Sequence, residues 1–195
     1  MHKFRILHPN AITKLRMQPV MHGMIGILFL FNVIGVYKME DPNWLMALLF
    51  IALGTASLAF PFMMRKMRKM SETNSVLRLL QVFTLFSGSL FFLSHMQPII
   101  GGTLLLAGLG VAYTAYAEYR IMQPAYAEIG ETGITLPTVF GKKAFRWNEM
   151  NNVVLRNDLL TLDFRSNKVL QLDVLDEYSP AQTAEINAFF QSKLT

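Results

Sequence analysis

Apolar residues follow two rhythms along this chain. Up to residue 116 they form four long, nearly unbroken blocks, 19–37, 44–64, 76–96 and 98–116; beyond residue 124 they alternate with polar residues. At about 1.5 Å per residue each block spans roughly 27–32 Å as a helix, close to the ~30 Å hydrocarbon core of a bilayer. In lipid such a run has to satisfy its own backbone hydrogen bonds, so the blocks are predicted transmembrane helices. Punctuation agrees with that reading. Asp41-Pro42-Asn43 caps the second helix, with Pro42 expected in its first turn; Pro98 opens the fourth after a short connection, and Pro124 closes it. Two helical hairpins with short turns predict a four-helix bundle. Helix 4 is rich in Gly and Ala, with Gly108 and Ala112 in small-xxx-small spacing, and is expected to be the helix most buried in protein.

The tail changes period. Residues 134–136, 153–155, 160–164 and 169–174 read as strands, with Leu160, Leu162 and Phe164 on one face and Thr161 and Asp163 on the other. Turn chemistry separates them at 131–133, 140–142, 157–158 and 166–167. A helix ends the chain: Ser179 is placed to cap it, Pro180 at its first position and Gln182 at its third, a capping-box pattern. Ala184, Ile186, Phe189, Phe190 and Leu194 supply an apolar flank to cover one face of an antiparallel sheet. Trp147 is expected in the core, because large rings in small domains mostly pack. The predicted architecture is therefore a basic N-terminal segment (1–18), a four-helix transmembrane domain (19–122) and a small β-sheet domain closed by one helix (125–195).

Meandering strands, a closing helix, the turn Glu131-Thr132-Gly133-Ile134 and the stretch Trp147-Asn148-Glu149-Met150 together resemble bacterial pleckstrin-homology-like domains of the YcxB type. That resemblance covers roughly residues 125–195. It implies a PH-like fold of the kind that follows transmembrane helices in small bacterial membrane proteins, and it implies no catalytic residues.

Charge sets an orientation. Residues 1–122 hold 11 Lys+Arg against 4 Asp+Glu, whereas 123–195 hold 7 against 9. Basic residues cluster before helix 1 (Lys3, Arg5, Lys14, Arg16) and after helix 2 (Arg65, Lys66, Arg68, Lys69). The positive-inside rule puts both segments, and hence both termini, in the cytoplasm of a bacterial inner membrane. The first block is longer than a signal-peptide core and lacks a small-x-small site after it, so it is expected to stay as a signal anchor. The basic balance belongs to the membrane part and gives no reason to expect nucleic acid as a partner.

Chemistry is sparse. There is no cysteine, which removes thiolate metal sites and thiol nucleophiles. His22 and His95 fall nearly a bilayer apart, and the methionines around residues 63–70 are interleaved with repelling cations, so no metal or other cofactor is expected. No phosphate loop, nucleophile elbow or metalloprotease motif occurs, and a non-enzymatic protein is expected. Within the blocks the polar candidates are Asn32, Gln81 and His22, with Asn32 and Gln81 at different depths. Arg78 lies within a turn of the cytoplasmic end and is expected to snorkel, leaving no charge at the bundle centre. In the tail Lys142, Lys143 and Arg146 line one hairpin and are the candidate contact residues, with a solvated edge as the plainer role. The expected function is a membrane protein presenting a cytoplasmic PH-like interaction module to a protein partner or to another copy of itself. The alternative is an oligomeric small-solute transporter or channel with the tail as regulator.

Overall fold

A computed structural model describes residues 2–66 and 70–194, apart from the Arg65 side chain. Met67, Arg68 and Lys69 of the expected basic and methionine-rich loop lie outside the described residues. The elements in chain order are β1 (His2–Ile6), α1 (Ala11–Tyr37), α2 (Trp44–Met63), α3 (Met70–Ser94), α4 (Pro98–Met122), β2 (Ala125–Gly130), β3 (Gly133–Pro137), β4 (Lys142–Arg146), β5 (Met150–Arg156), β6 (Leu159–Phe164), β7 (Val169–Asp173) and α5 (Pro180–Leu194). They form two units, Thr13–Tyr119 and the described residues of Met1–Ile12 with Arg120–Thr195.

In the first unit α1 to α4 are each long and apolar enough to cross a membrane, making this a multi-pass membrane protein. Three helices outrun their apolar blocks: α1 begins eight residues early and carries Pro19 inside it, α3 begins at Met70, and α4 continues to Met122. Pro42 precedes α2 instead of sitting in its first turn; Asn43 is the cap, its Oδ1 accepting the Met46 N–H at 3.0 Å. The helices of each hairpin meet backbone to backbone. A Cβ on Gly26 of α1 would lie 2.9 Å from the Gly54 carbonyl of α2, and one on Gly101 of α4 would lie 3.0 Å from the Ser89 carbonyl of α3. The expectation that α4 is the most buried helix is overturned. α3 buries 39% of its apolar stretch and α4 only 28%. Gly102 and Gly110 of α4 face open space, so half of its glycines bring no neighbour closer.

The second unit has more strands than the alternation in the tail predicted. A four-stranded antiparallel sheet runs β1-β2-β3-β4 and a three-stranded one runs β5-β6-β7. The N-terminal segment is not merely a basic leader. His2–Ile6 pairs along β2, from His2 opposite Ile129 to Ile6 opposite Ala125. Its alternation drives this: Phe4 and Ile6 are buried while Lys3 and Arg5 stay exposed. The far side of β1 meets the end of β7, where Leu7 N–H donates to Asp173 and Leu175 N–H to Arg5. β2 and β4 are the other strands beyond those expected. Gly133, after the β2–β3 turn, has a φ of 151°, and a Cβ there would sit 2.0 Å from the Phe145 carbonyl, so this position admits only glycine.

The helix signals hold. Ser179 Oγ accepts the Gln182 N–H and Gln182 Oε1 accepts the Ser179 N–H, closing the capping box. Ile186 and Phe190 of α5 are buried among both sheets' apolar faces, whereas Ala184 is exposed. Asn187 acts as a substitute strand partner, accepting the Leu155 N–H and donating to the Leu155 carbonyl, both at 2.8 Å. Trp147 is buried as expected, and its indole N–H donates to the Gly130 carbonyl at 3.0 Å.

Candidate functional site

Each helix of the bundle sends at least one polar side chain into its interior at a single level. α1 provides His22, α2 Ser57, α3 Asn74, Arg78 and Gln81, and α4 Glu118; all six are buried. The level is common because the helices run alternately up and down: His22 lies near the start of the apolar block 19–37 and Ser57 in the last third of α2, with Arg78 in the first third of α3 and Glu118 near the end of α4. On α3 the spacings 74, 78, 81 put the three side chains on one helical face.

These groups close a ring of hydrogen bonds. Arg78 grips Glu118 with two parallel bonds, Nε to Oε2 and Nη2 to Oε1, both 3.1 Å. Its Nη1 donates to Gln81 Oε1 at 3.1 Å. The Gln81 amide donates to Ser57 Oγ at 2.7 Å and meets His22 Nδ1 at 3.1 Å. His22 Nε2 meets Asn74 Oδ1 at 2.8 Å, and the Asn74 amide donates to Glu118 Oε2 at 2.8 Å. An arginine only donates and a carboxylate only accepts. The two amides are therefore oriented by their charged neighbours, and the amides in turn fix the imidazole as the neutral form with its proton on Nε2. Every nitrogen and oxygen of the six side chains has a partner within the ring. Protonating His22 at Nδ1 would set two donors face to face.

Two expectations about the bundle are corrected here. Arg78 does not snorkel but is fully buried, because a partnered guanidinium inside the bundle is held by two charge-assisted bonds that lipid headgroups would otherwise have to supply. The interior does carry charge, in Arg78 and Glu118. A buried carboxylate is thus present; Glu118 was overlooked because the last apolar block stops at residue 116, two positions short of it. Of the sequence candidates, His22 and Gln81 come together in the ring and Asn32 does not. Asn32 donates to the Leu28 carbonyl of its own helix at 2.7 Å and lines a shallow groove of about 260 Å³ with Gly35 and Thr103. Phe29 and Phe50 stack at 5.7 Å, about 10 Å along their helices from His22 and Ser57, and Phe92, farther along α3, stacks on Phe50 at 6.4 Å; all three are fully buried. This apolar layer separates the level of the ring from that of Asn32.

Gln18, one turn before His22, is buried with neither amide atom partnered among the described residues, and the Thr84 hydroxyl, one turn beyond Gln81, is likewise unpartnered among them.

In the second unit the expected contact residues lie on β4 but do not act as one patch. Lys142 is tied to Glu128 of β2, at 2.8 and 3.0 Å. That bond holds the Glu128 carboxyl below the usual carboxylate range. Lys143 lies 4.9 Å over the ring of Phe145. The backbone N–H of Arg146 donates to Glu149 Oε1 at 3.2 Å, closing the short turn 147–149. Lys143 and Phe145 point toward the core side of the sheet, Lys142 and Arg146 away from it.

Compared with protein-family models, with curated proteins and with solved structures, the chain matches none.

Proposed function

We propose that this chain is a non-enzymatic protein of a bacterial inner membrane whose bundle is an anchor and whose β unit, a PH-like module on the cytoplasmic side, binds another protein. One observation carries this reading: the six polar groups of the ring, its two charges included, are satisfied by one another. Arg78 and Asn74 give the Glu118 carboxylate three hydrogen bonds and pair its charge with a guanidinium, so a transported ion or proton would have to compete with that pairing. The stacked phenylalanines beyond the ring add a dry layer. The unsatisfied surface lies instead on the β unit, whose outer strands keep unpaired edges.

A small-solute transporter or channel is the second reading, and the buried Glu118 is the feature that favours it, since intramembrane carboxylates mark ion and proton paths. Two measurements on the full chain separate the readings. In proteoliposomes the anchor reading gives no proton or cation flux above that of empty vesicles. In native membranes a photo-crosslinking residue in place of Val169 gives a discrete adduct with another protein. Flux that disappears in Glu118→Gln, or no adduct from the β unit, overturns the anchor reading.

A further inference from the structure

Between β4 and the β6–β7 hairpin the β unit has a groove of about 490 Å³, lined by apolar Phe145, Phe164, Val169 and Leu170 and rimmed by Lys143 and Lys168. Phe145 and Phe164 form its floor, their rings 4.9 Å apart. Val169 is 62% exposed, an unusual state for a β-branched apolar residue in a strand.

The strand beside the groove has a bare edge. β4 pairs only with β3 among the described residues. Which backbone groups face outward follows from two bonds. Gly141 accepts from Thr138 across the hairpin, so residues 141, 143 and 145 turn their backbone groups toward β3. Arg146 N–H points the other way, to Glu149. Lys142 and Ala144 therefore present their N–H and C=O groups outward, and Ala144, the smallest side chain of the strand, leaves that edge uncovered. β7 has the same character near the groove. Asp173 accepts from Leu7 on the outer side and Lys168 accepts from Phe164 on the inner side, so Val169 and Gln171 face their backbone groups outward. Lysines on an edge strand usually discourage pairing. Here Lys142 is drawn back to Glu128, and Lys143 is folded over Phe145 toward the groove.

We infer that the β4 edge and its groove take an extended segment of a partner protein, added as a further antiparallel strand, whose groove-facing positions, every second residue, carry an apolar side chain flanked by acidic ones. Its backbone pairs with Lys142 and Ala144. Its apolar side chain enters the groove over Phe145 and Val169, and its carboxylates meet Lys143 and Lys168, which outnumber the single acidic residue of the lining, Glu149. Main-chain bonds supply affinity, while the charges select the partner. This inference rests on the anchor reading and names the chemistry of the partner.

The test uses the full chain in nanodiscs of zwitterionic lipid and the fluorescent seven-residue peptide Thr-Glu-Thr-Val-Thr-Glu-Thr, whose second, fourth and sixth residues share one face. The peptide is expected to bind saturably, and its counterpart with Lys in place of Glu is not. Lys143→Glu combined with Lys168→Glu is expected to weaken binding by about tenfold or more. Ala144→Pro removes an outward N–H without touching the ladder to β3, so it is expected to abolish binding with Trp147 emission unchanged. Equal binding of both peptides, indifference to Ala144→Pro, or loss of binding simply on adding anionic lipid to the disc would each overturn the inference, the last assigning the groove to headgroups. An adduct at Val169 in native membranes without peptide binding sinks strand addition and spares the anchor reading. Absence of any adduct sinks the anchor reading whatever the peptide does.

Discussion

The two units invert one another. The bundle hides His22, Ser57, Asn74, Arg78, Gln81 and Glu118 and displays Leu45, Phe62 and Ile99, each more than three-quarters exposed. The β unit hides Phe4, Ile6, Leu160, Leu162 and Phe190 and displays its lysines and aspartates. The cause is the solvent. In water, burial of apolar area drives folding at about 25 cal/mol per Å². In lipid an apolar side chain gains little by moving from acyl chains to a helix interface, so close backbone approach and polar pairing hold helices together. The Gly26–Gly54 contact and the six-residue ring are the bundle's counterpart of an apolar core. Buried ion pairs contribute little net stability but make a wrong arrangement costly. The ring thus fixes which helix faces which, since every register but one strands a charge.

The comparison breaks most sharply at Glu118. Glu118→Leu leaves the Arg78 guanidinium buried without its partner and is expected to destabilise the bundle by about 3–5 kcal/mol. Detergent-titration unfolding followed by helical circular dichroism measures it, and an effect below about 1 kcal/mol would mean that the ring is ornamental. Next comes Phe4→Ala in β1. It empties a fully packed site against Phe190 and Tyr178 and is expected to cost about 3 kcal/mol in the β unit alone. With Trp44 replaced by Phe, the emission of Trp147 reports that transition; unfolding of the bundle at the same denaturant concentration would show that the two units are not separate. The smallest effect is at Gln18. Gln18→Met removes two buried unpartnered polar atoms at similar volume and is expected to raise bundle stability by about 1 kcal/mol, in a direction opposite to that of Glu118→Leu. A loss of stability there would place Gln18 in a polar network of its own.

Much of this was legible from local signals. The four apolar blocks, Asn43 and the Ser179–Gln182 box each declare themselves within a few residues, and the structure keeps them. Trp147 was readable as core from its size. β1 was hidden because Lys3 and Arg5 read first as a topogenic charge cluster, and the alternation of Phe4 and Ile6 between them covers only one short strand. Its partner is also remote: His2 pairs with Ile129, across the whole membrane unit in sequence. The ring was half-visible. His22 and Gln81 stood out as polar residues inside apolar blocks, and the helical spacing of Asn74, Arg78 and Gln81 was there to be found. Arg78 was misjudged because a long cation near a helix end has two ways to satisfy itself, and only the presence of an acceptor decides between them.

Sequence by itself determined where this chain meets lipid, where it alternates into strands and where its helices stop, since each depends on neighbours within a turn or two. Tertiary structure alone decided that Arg78 meets Glu118, 40 residues on, that His22 closes on Gln81 across 59, and that the N-terminus completes a sheet made by the other end of the chain. Those pairings are geometric outcomes of how four cylinders and two sheets pack, and a one-dimensional pattern carries the valence of each partner but not its address.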